Sequence, residues 1–336
     1  MTGGAQETFM LGCGLRVMTI RGNTYAGRKV KILYTSDTHV YPPYFDRLLS
    51  AAELIRPEAV IIGGDIIPDW KGGIRSSIEP HKTWVREKMI ARLQEFNATC
   101  ENVPVFVDLG NDDIAAARFL LEETDGKDLH LLHMRLIKLT RKLAVAGYMK
   151  VNPTPFLLKD GEKSDCRDDS GLAGHGVVRK GSITSTGSEA PYVLDPADGT
   201  IEDDLDLLTE RLKGPDWKDF SFIFVSHAPP KNTALDRISA GSNVGSLAVN
   251  RFIENWGAGG RLVAGFHGHI HESPWCTGLV WDYVGGTPCF NVGQKLKLLR
   301  AVLFDSEDVV ESARLVLIGP SKEIAVLEKD EWFPMG

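Results

Sequence analysis

The strongest constraint on this chain is a series of five short β-forming runs, each ending on polar residues able to bind a cation. Residues 30–35 lead into Ser36-Asp37-Thr38-His39, 59–62 into Gly63-Gly64-Asp65, and 104–107 into Gly110-Asn111-Asp112-Asp113. Further on, 221–225 lead into Ser226-His227 and 261–264 into His267-Gly268-His269-Ile270-His271. Helical patterns separate them at 44–55, 81–97, 114–123, 203–212 and 246–256, with Asp203 or Asp204 as a candidate cap for the fourth. Strands alternating with helices mean an α/β fold. The unbroken apolar runs Ala59-Val60-Ile61-Ile62 and Phe222-Ile223-Phe224-Val225 suit strands covered on both faces. The tail alternates again at 301–304, 314–318 and 324–327, which predicts strands completing a second sheet.

Where strands run parallel, their carboxyl ends gather in one crevice, so residues distant in sequence can meet there. Taken singly, an Asp or Asn after a strand is a turn former or cap, and a lone His is a packed or solvated side chain. The ordered conjunction changes that reading. Asp37, His39, Asp65, Asn111, His227, His269 and His271 mix hard oxygen donors with imidazoles, a set suited to Mn, Fe, Zn, Co or Ni rather than Ca. Manganese is the first expectation.

Composition sets the frame. The 336 residues fit one large domain at 29–330, preceded by a tail or leader strand at 1–28. A segment rich in Gly, Ser, Asp, Thr and Pro at 152–196 resists regular assignment and reads as an insertion flanking the active site. A net charge of −7 argues against a general nucleic-acid surface, while leaving room for a local basic pocket. The five cysteines have no CxxC spacing, which favours a reducing, cytoplasmic setting without structural zinc. Cys13 after Met10-Leu11-Gly12 imitates a lipoprotein cleavage site, but no basic cluster precedes it. No apolar run approaches a membrane span.

The blocks Asp-x-His, Gly-Asp, Gly-Asn, His and Gly-His-x-His, in that order over residues 31–294, resemble the calcineurin-like metallophosphoesterase superfamily. His227-Ala228-Pro229-Pro230, Asn243-Val244-Gly245-Ser246 and Gly268-His269-Ile270-His271-Glu272 are similar to its Icc-related predicted phosphoesterases. The resemblance implies a β-sandwich of two mixed sheets flanked by helices, in an α/β/β/α arrangement. It further implies two divalent cations, one on Asp37, His39 and His271, the other on Asn111, His227 and His269, with Asp65 bridging. Hydroxide generated between the cations would attack a small phosphoester. A phosphomonoesterase is the alternative to a phosphodiesterase, with a nuclease disfavoured by charge. A protein-binding scaffold that has lost metal chemistry is the non-enzymatic alternative. Oligomeric state stays open.

One position departs from the family. Where most members carry a His after the Gly-Asn pair, this chain has Asp112. An ionised Asp112 penalises a monoester more than a diester, whereas a buried, protonated Asp112 would itself serve as the acid. Asp113 reads equally as a residue orienting a ligand and as a cap for the following helix. Weaker signals are Gly241–Ser246 as a phosphate-binding helix start or a plain Ser246 cap, and Lys231, Asn232 and Arg237 as phosphate contacts or a solvated loop. His267 reads as a core or supporting residue; His81, His130, His133 and His175 carry no motif, although His175 lies in the insertion and could reach substrate.

Overall fold

The computed structural model describes residues 9–10, 16–17, 30–68, 72–168, 177–295 and 297–332. Within the expected 1–28 tail, Phe9–Met10 pairs antiparallel with Arg16–Val17. Cys13 and His175 lie outside the described residues.

Two large sheets form the body. The first has seven strands in the order Ile324–Leu327, Arg314–Ile318, Leu299–Asp305, Lys31–Thr35, Ala59–Ile62, Val105–Val107, His130–Leu131. The last four run parallel to one another, and the first three join antiparallel. The second has six strands in the order Trp281–Val284, Thr287–Asn291, Leu262–His267, Ser221–Ser226, Leu143–Tyr148, Arg135–Lys138. Its four central strands are parallel.

Alternation along each strand decides which layer a side chain enters. Ile32, Tyr34, Ile61 and Phe106 point between the sheets and meet Val145, Ile223, Val225 and Phe266 from the other. Leu33, Val60, Ile62 and Val107 face outward onto Leu48, Leu49, Val85, Met89 and Phe96 of the helices covering the first sheet. On the far side, Ala144, Ala146, Phe222 and Phe224 pack on Leu205, Leu208, Val249 and Phe252. The result is helix, sheet, sheet, helix, as expected.

Several expectations require correction. The tail strands extend the first sheet beside Lys31–Thr35 instead of building the second; Ala301 and Leu303 have helix-facing sites to fill and Val302 and Phe304 inter-sheet ones. The helix expected at 81–97 starts at Ile74 and runs through a π turn at Val85–Ile90 to Thr99. Pro80 lies inside it without ending it, because Ile78, Val85, Met89 and Phe96 bury along one side and hold it to the sheet. Thr200, not Asp203 or Asp204, caps Ile201–Lys213; Asp203 returns the bond from the third position, a reciprocal capping box. The segment at 114–123 opens as a 3-10 turn, Ala115–Ala117, before Arg118–Glu122.

The insertion is more regular than its composition suggests. Lys180–Ile183 and Ala190–Val193 form a hairpin, and a fully buried ion pair joins Lys159 Nζ to Glu162 at 2.8 Å. Asp160 accepts the Thr184 and Ala115 amides at 2.7 and 2.9 Å, stitching the insertion to the turn after Asn111. Gly161 lies so close that a Cβ there would sit 2.4 Å from Asn111 Cα.

Candidate metal centre

All seven predicted residues converge where the carboxyl ends of the two parallel strand sets face each other. The first sheet brings Asp37, His39, Asp65 and Asn111; the second brings His227, His269 and His271. Asp37, His39, Asp65, Asn111 and His227 are buried, and His269 and His271 are partly open.

Asp65 sits at the middle. It belongs to one group with His39 and His271 and to a second with His227 and His269, the donor atoms of each group lying within 4.8 Å of one another. Its Oδ2 is 3.0 Å from His227 Nε2 and 3.7 Å from His39 Nδ1, while Oδ1 accepts the Asp112 amide at 2.9 Å. On one flank Asp37 Oδ1 lies 3.3 Å from His271 Nε2 and accepts the His269 amide at 2.9 Å. On the other, Asn111 Oδ1 is 3.1 Å from His227 Nε2.

The backbone is bent to achieve this. Asp37, Asp65 and His269 hold φ of 58°, 51° and 66°, left-handed values uncommon outside glycine and typical of strained functional turns. Two of the motif glycines have a steric explanation. A Cβ at Gly110 would lie 2.1 Å from Asp65 Oδ1, and one at Gly268 would lie 2.6 Å from Asp37 Oδ2.

Supporting bonds orient the donors. His227 Nδ1 bonds the Gly63 carbonyl at 2.7 Å, which puts the proton on Nδ1 and turns Nε2 toward Asp65 and Asn111. Asp113 accepts the Ile66, Ile67 and Gly110 amides at 3.0, 2.7 and 2.8 Å. It therefore braces the turn after Asp65 and does not cap the helix. Two supports were not singled out from sequence. Asn291 Nδ2 lies 3.3 and 3.2 Å from the Gly268 and Ile270 carbonyls, and Gln294 Nε2 donates to the Ser36 carbonyl at 3.0 Å. Asn291 ends the strand Thr287–Asn291 and Gln294 follows it, so both sit at a strand end like the donors.

Charge coupling is strong. Burial pushes Asp65 up, but His227 and His39 outweigh it and hold the carboxyl at about 2. Asp37 behaves likewise beside His271 and falls well below the carboxylate range. Burial opposes the charge of His227 and His271, yet Asp65 and Asp37 raise them to about 10 and about 9. Desolvation in the crowded site, together with repulsion by His227, lowers His269 to about 3. Two low-pKa carboxylates, an amide oxygen and four imidazoles in this arrangement fit divalent metals.

Asp112 is one-third exposed at the mouth, its Oδ2 3.9 Å from His39 Nε2 and its Oδ1 accepting from Asn111 Nδ2 at 3.0 Å. That exposure runs against the expectation of an acid kept neutral by burial. Among the weaker signals, Ser246 caps Leu247–Gly257, and Asp165 takes the Leu247 and Ala248 amides at 2.8 and 3.4 Å. The chain's own carboxylate thus fills the helix start where phosphate was considered. Lys231 is buried instead of solvated, and Asn232 and Arg237 are exposed. His267 is buried with Nδ1 3.2 Å from the Ser226 carbonyl, a core role. His81 is also buried; His130 lies against the Phe106 ring, and His133 Nδ1 accepts the Met149 amide at 3.1 Å.

Comparison with known proteins places this geometry in a family. The model for calcineurin-like phosphoesterases matches residues 30–273. The chain belongs to that family. A calcineurin-like phosphoesterase is a metal-dependent hydrolase of phosphoric ester bonds, and the family implies a dinuclear divalent site. One crystal structure, 15% identical, aligns over 86% of this phosphoesterase and 98% of its own chain with a TM-score of 0.57. The protein TT1561 of Thermus thermophilus is 12% identical, with 89% and 98% covered and a TM-score of 0.50. A dimetal phosphatase from Danio rerio is 11% identical over 89% and 98%, with a TM-score of 0.47. No curated protein matches. No helix among the described residues is long and apolar enough to cross a membrane.

Proposed function

We propose that this phosphoesterase is a phosphodiesterase of small nucleotide or cyclic-nucleotide esters, built as one domain over residues 29–330. In this reading Asp37, His39 and His271 hold one divalent cation, Asn111, His227 and His269 the other, and Asp65 bridges them. The observation that carries it is Asp65 shared between both donor groups. Two cations bound there supply Lewis acidity and ionise a water at neutral pH. Manganese is the first candidate, and a reducing, cytoplasmic setting suits the scattered cysteines.

The chain's own residues do the rest. Asp37 and Asp65 supply anionic charge, the Gly63 carbonyl orients the His227 ring, and Asn291 fixes the turn that carries His269. Asp112 at the mouth decides the ester class. A monoester carries nearly one more negative charge than a diester. At about 5 Å and an effective dielectric near 20 that charge costs on the order of 3 kcal/mol, reduced to roughly 1–2 by solvent around an exposed group. Bis(p-nitrophenyl) phosphate should therefore turn over about tenfold more efficiently than p-nitrophenyl phosphate with added manganese. Asp112→Asn should narrow that ratio by speeding the monoester. Equal efficiency on both esters in the parent enzyme would defeat the diesterase assignment.

A further inference from the structure

On the His39 and His271 side the rim carries Asp112, 3.9 Å from His39 Nε2, and also a basic segment in a chain of net charge −7. Between Asp282 and Asp305 no acidic residue occurs, while Lys295, Lys297 and Arg300 all do. The segment bearing them is locked to the metal centre. A Cβ at Gly293 would lie 2.4 Å from the His271 carbonyl oxygen, and Gln294 holds the Ser36 carbonyl beside Asp37.

The turn itself is strained and braced from beneath. Lys297 has φ 88°, a left-handed value for a long side chain. Its carbonyl accepts Arg47 Nη1 at 2.8 Å, and the buried Tyr44 hydroxyl lies 3.0 Å from the Lys295 carbonyl. Arg47 is itself buried, 5.0 Å from the ring centre of Tyr41, two residues beyond His39. Across the turn, Trp275 belongs to Ser273–Thr277, immediately after the His271 loop. Its ring lies 5.4 Å from Lys295 Nζ and 4.7 Å from Arg300, so it steadies the ammonium group by cation–π attraction. Buried residues thus hold a tight turn whose two lysines are exposed. Strain retained this way is typical of ligand clamps.

The geometry points to a second anion subsite at Lys295 and Lys297 that takes a non-scissile phosphate of the substrate. It rests on the phosphodiesterase reading for what occupies the neighbouring centre, and selects small phosphodiesters carrying a further phosphate.

The test is direct binding, which needs no turnover. Thymidine 3′,5′-bisphosphate and thymidine 5′-monophosphate are titrated calorimetrically into manganese-supplemented protein and into the K295Q/K297Q variant. Two exposed cations should favour the bisphosphate by about five- to tenfold in the parent. The variant should bring the ratio near one, and added sodium chloride should erode it in the parent. Equal affinities in the parent, no binding of either nucleotide, or an unchanged ratio in the variant overturns the subsite. Should the variant not fold, the parent's salt dependence decides, and a salt-independent ratio overturns the proposal. Hydrolysis of pTpT against TpT then separates the two readings: an inert protein that still discriminates in binding loses the phosphodiesterase assignment alone.

Discussion

Asp65 is the residue on which both donor groups depend, so its charge is worth more than that of any flanking ligand. Asp65→Asn keeps the shape and the Asp112 amide contact while removing the anion. Turnover should fall on the order of a thousandfold, with less than one metal per chain by elemental analysis; retention of both would refute the bridging role. His133 offers a test outside the seven donors. Burial, with help from Lys150 and Arg118, lowers it to about 4. The unfolded chain takes up this proton first as pH falls below about 6.5. Stability is thus complete above that pH and declines by on the order of 2 kcal/mol by about pH 4. Urea melts of His133→Asn should show a flatter decline than the parent over that window. At this scale the residues that converge were legible because each follows an apolar strand. Their supports were less so: Asp113 bracing Ile66 and Asn291 bracing Gly268 depend on turns that only the fold brings together.

Among elements, the helix Leu247–Gly257 shows how the insertion is tied into the body. Its start is capped twice, by Ser246 and by Asp165 from the insertion. Asp165→Ala should destabilise the protein by about 1–2 kcal/mol in denaturant melts, while Asp206→Ala on the exposed face of Ile201–Lys213 should cost far less. The buried Lys159 and Glu162 pair gives a sharper contrast. Glu162→Gln leaves a buried ammonium poorly matched and should cost about 3–5 kcal/mol, whereas the double replacement Lys159→Met, Glu162→Leu should recover much of it. Neither tie was legible in a stretch of glycine, serine and aspartate. Strand identity was readable from apolar runs, but sheet membership was not: 301–304 and 314–318 look alike whichever sheet receives them. The helical turns before residue 81 were missed for a related reason, since packing of Ile78 and Val85 holds the helix on both sides of Pro80.

For the whole molecule, cation binding should appear as stability. Metal at a hundred times its dissociation constant adds about 2.7 kcal/mol if the unfolded chain binds none. EDTA should lower the melting temperature and manganese restore it, and Asp65→Asn should abolish the difference. The α/β/β/α arrangement was legible through the resemblance, whereas the junction of the sheets was not. Four donors come from one sheet and three from the other, so neither half alone holds a complete set. A nascent chain has finished Asp37 to Asn111 long before His227 emerges, and can offer a cation only a partial grip until the second sheet docks. Metal acquisition should then be a late folding event, and the rate at which an added divalent cation is captured during refolding should report the closure of the sandwich.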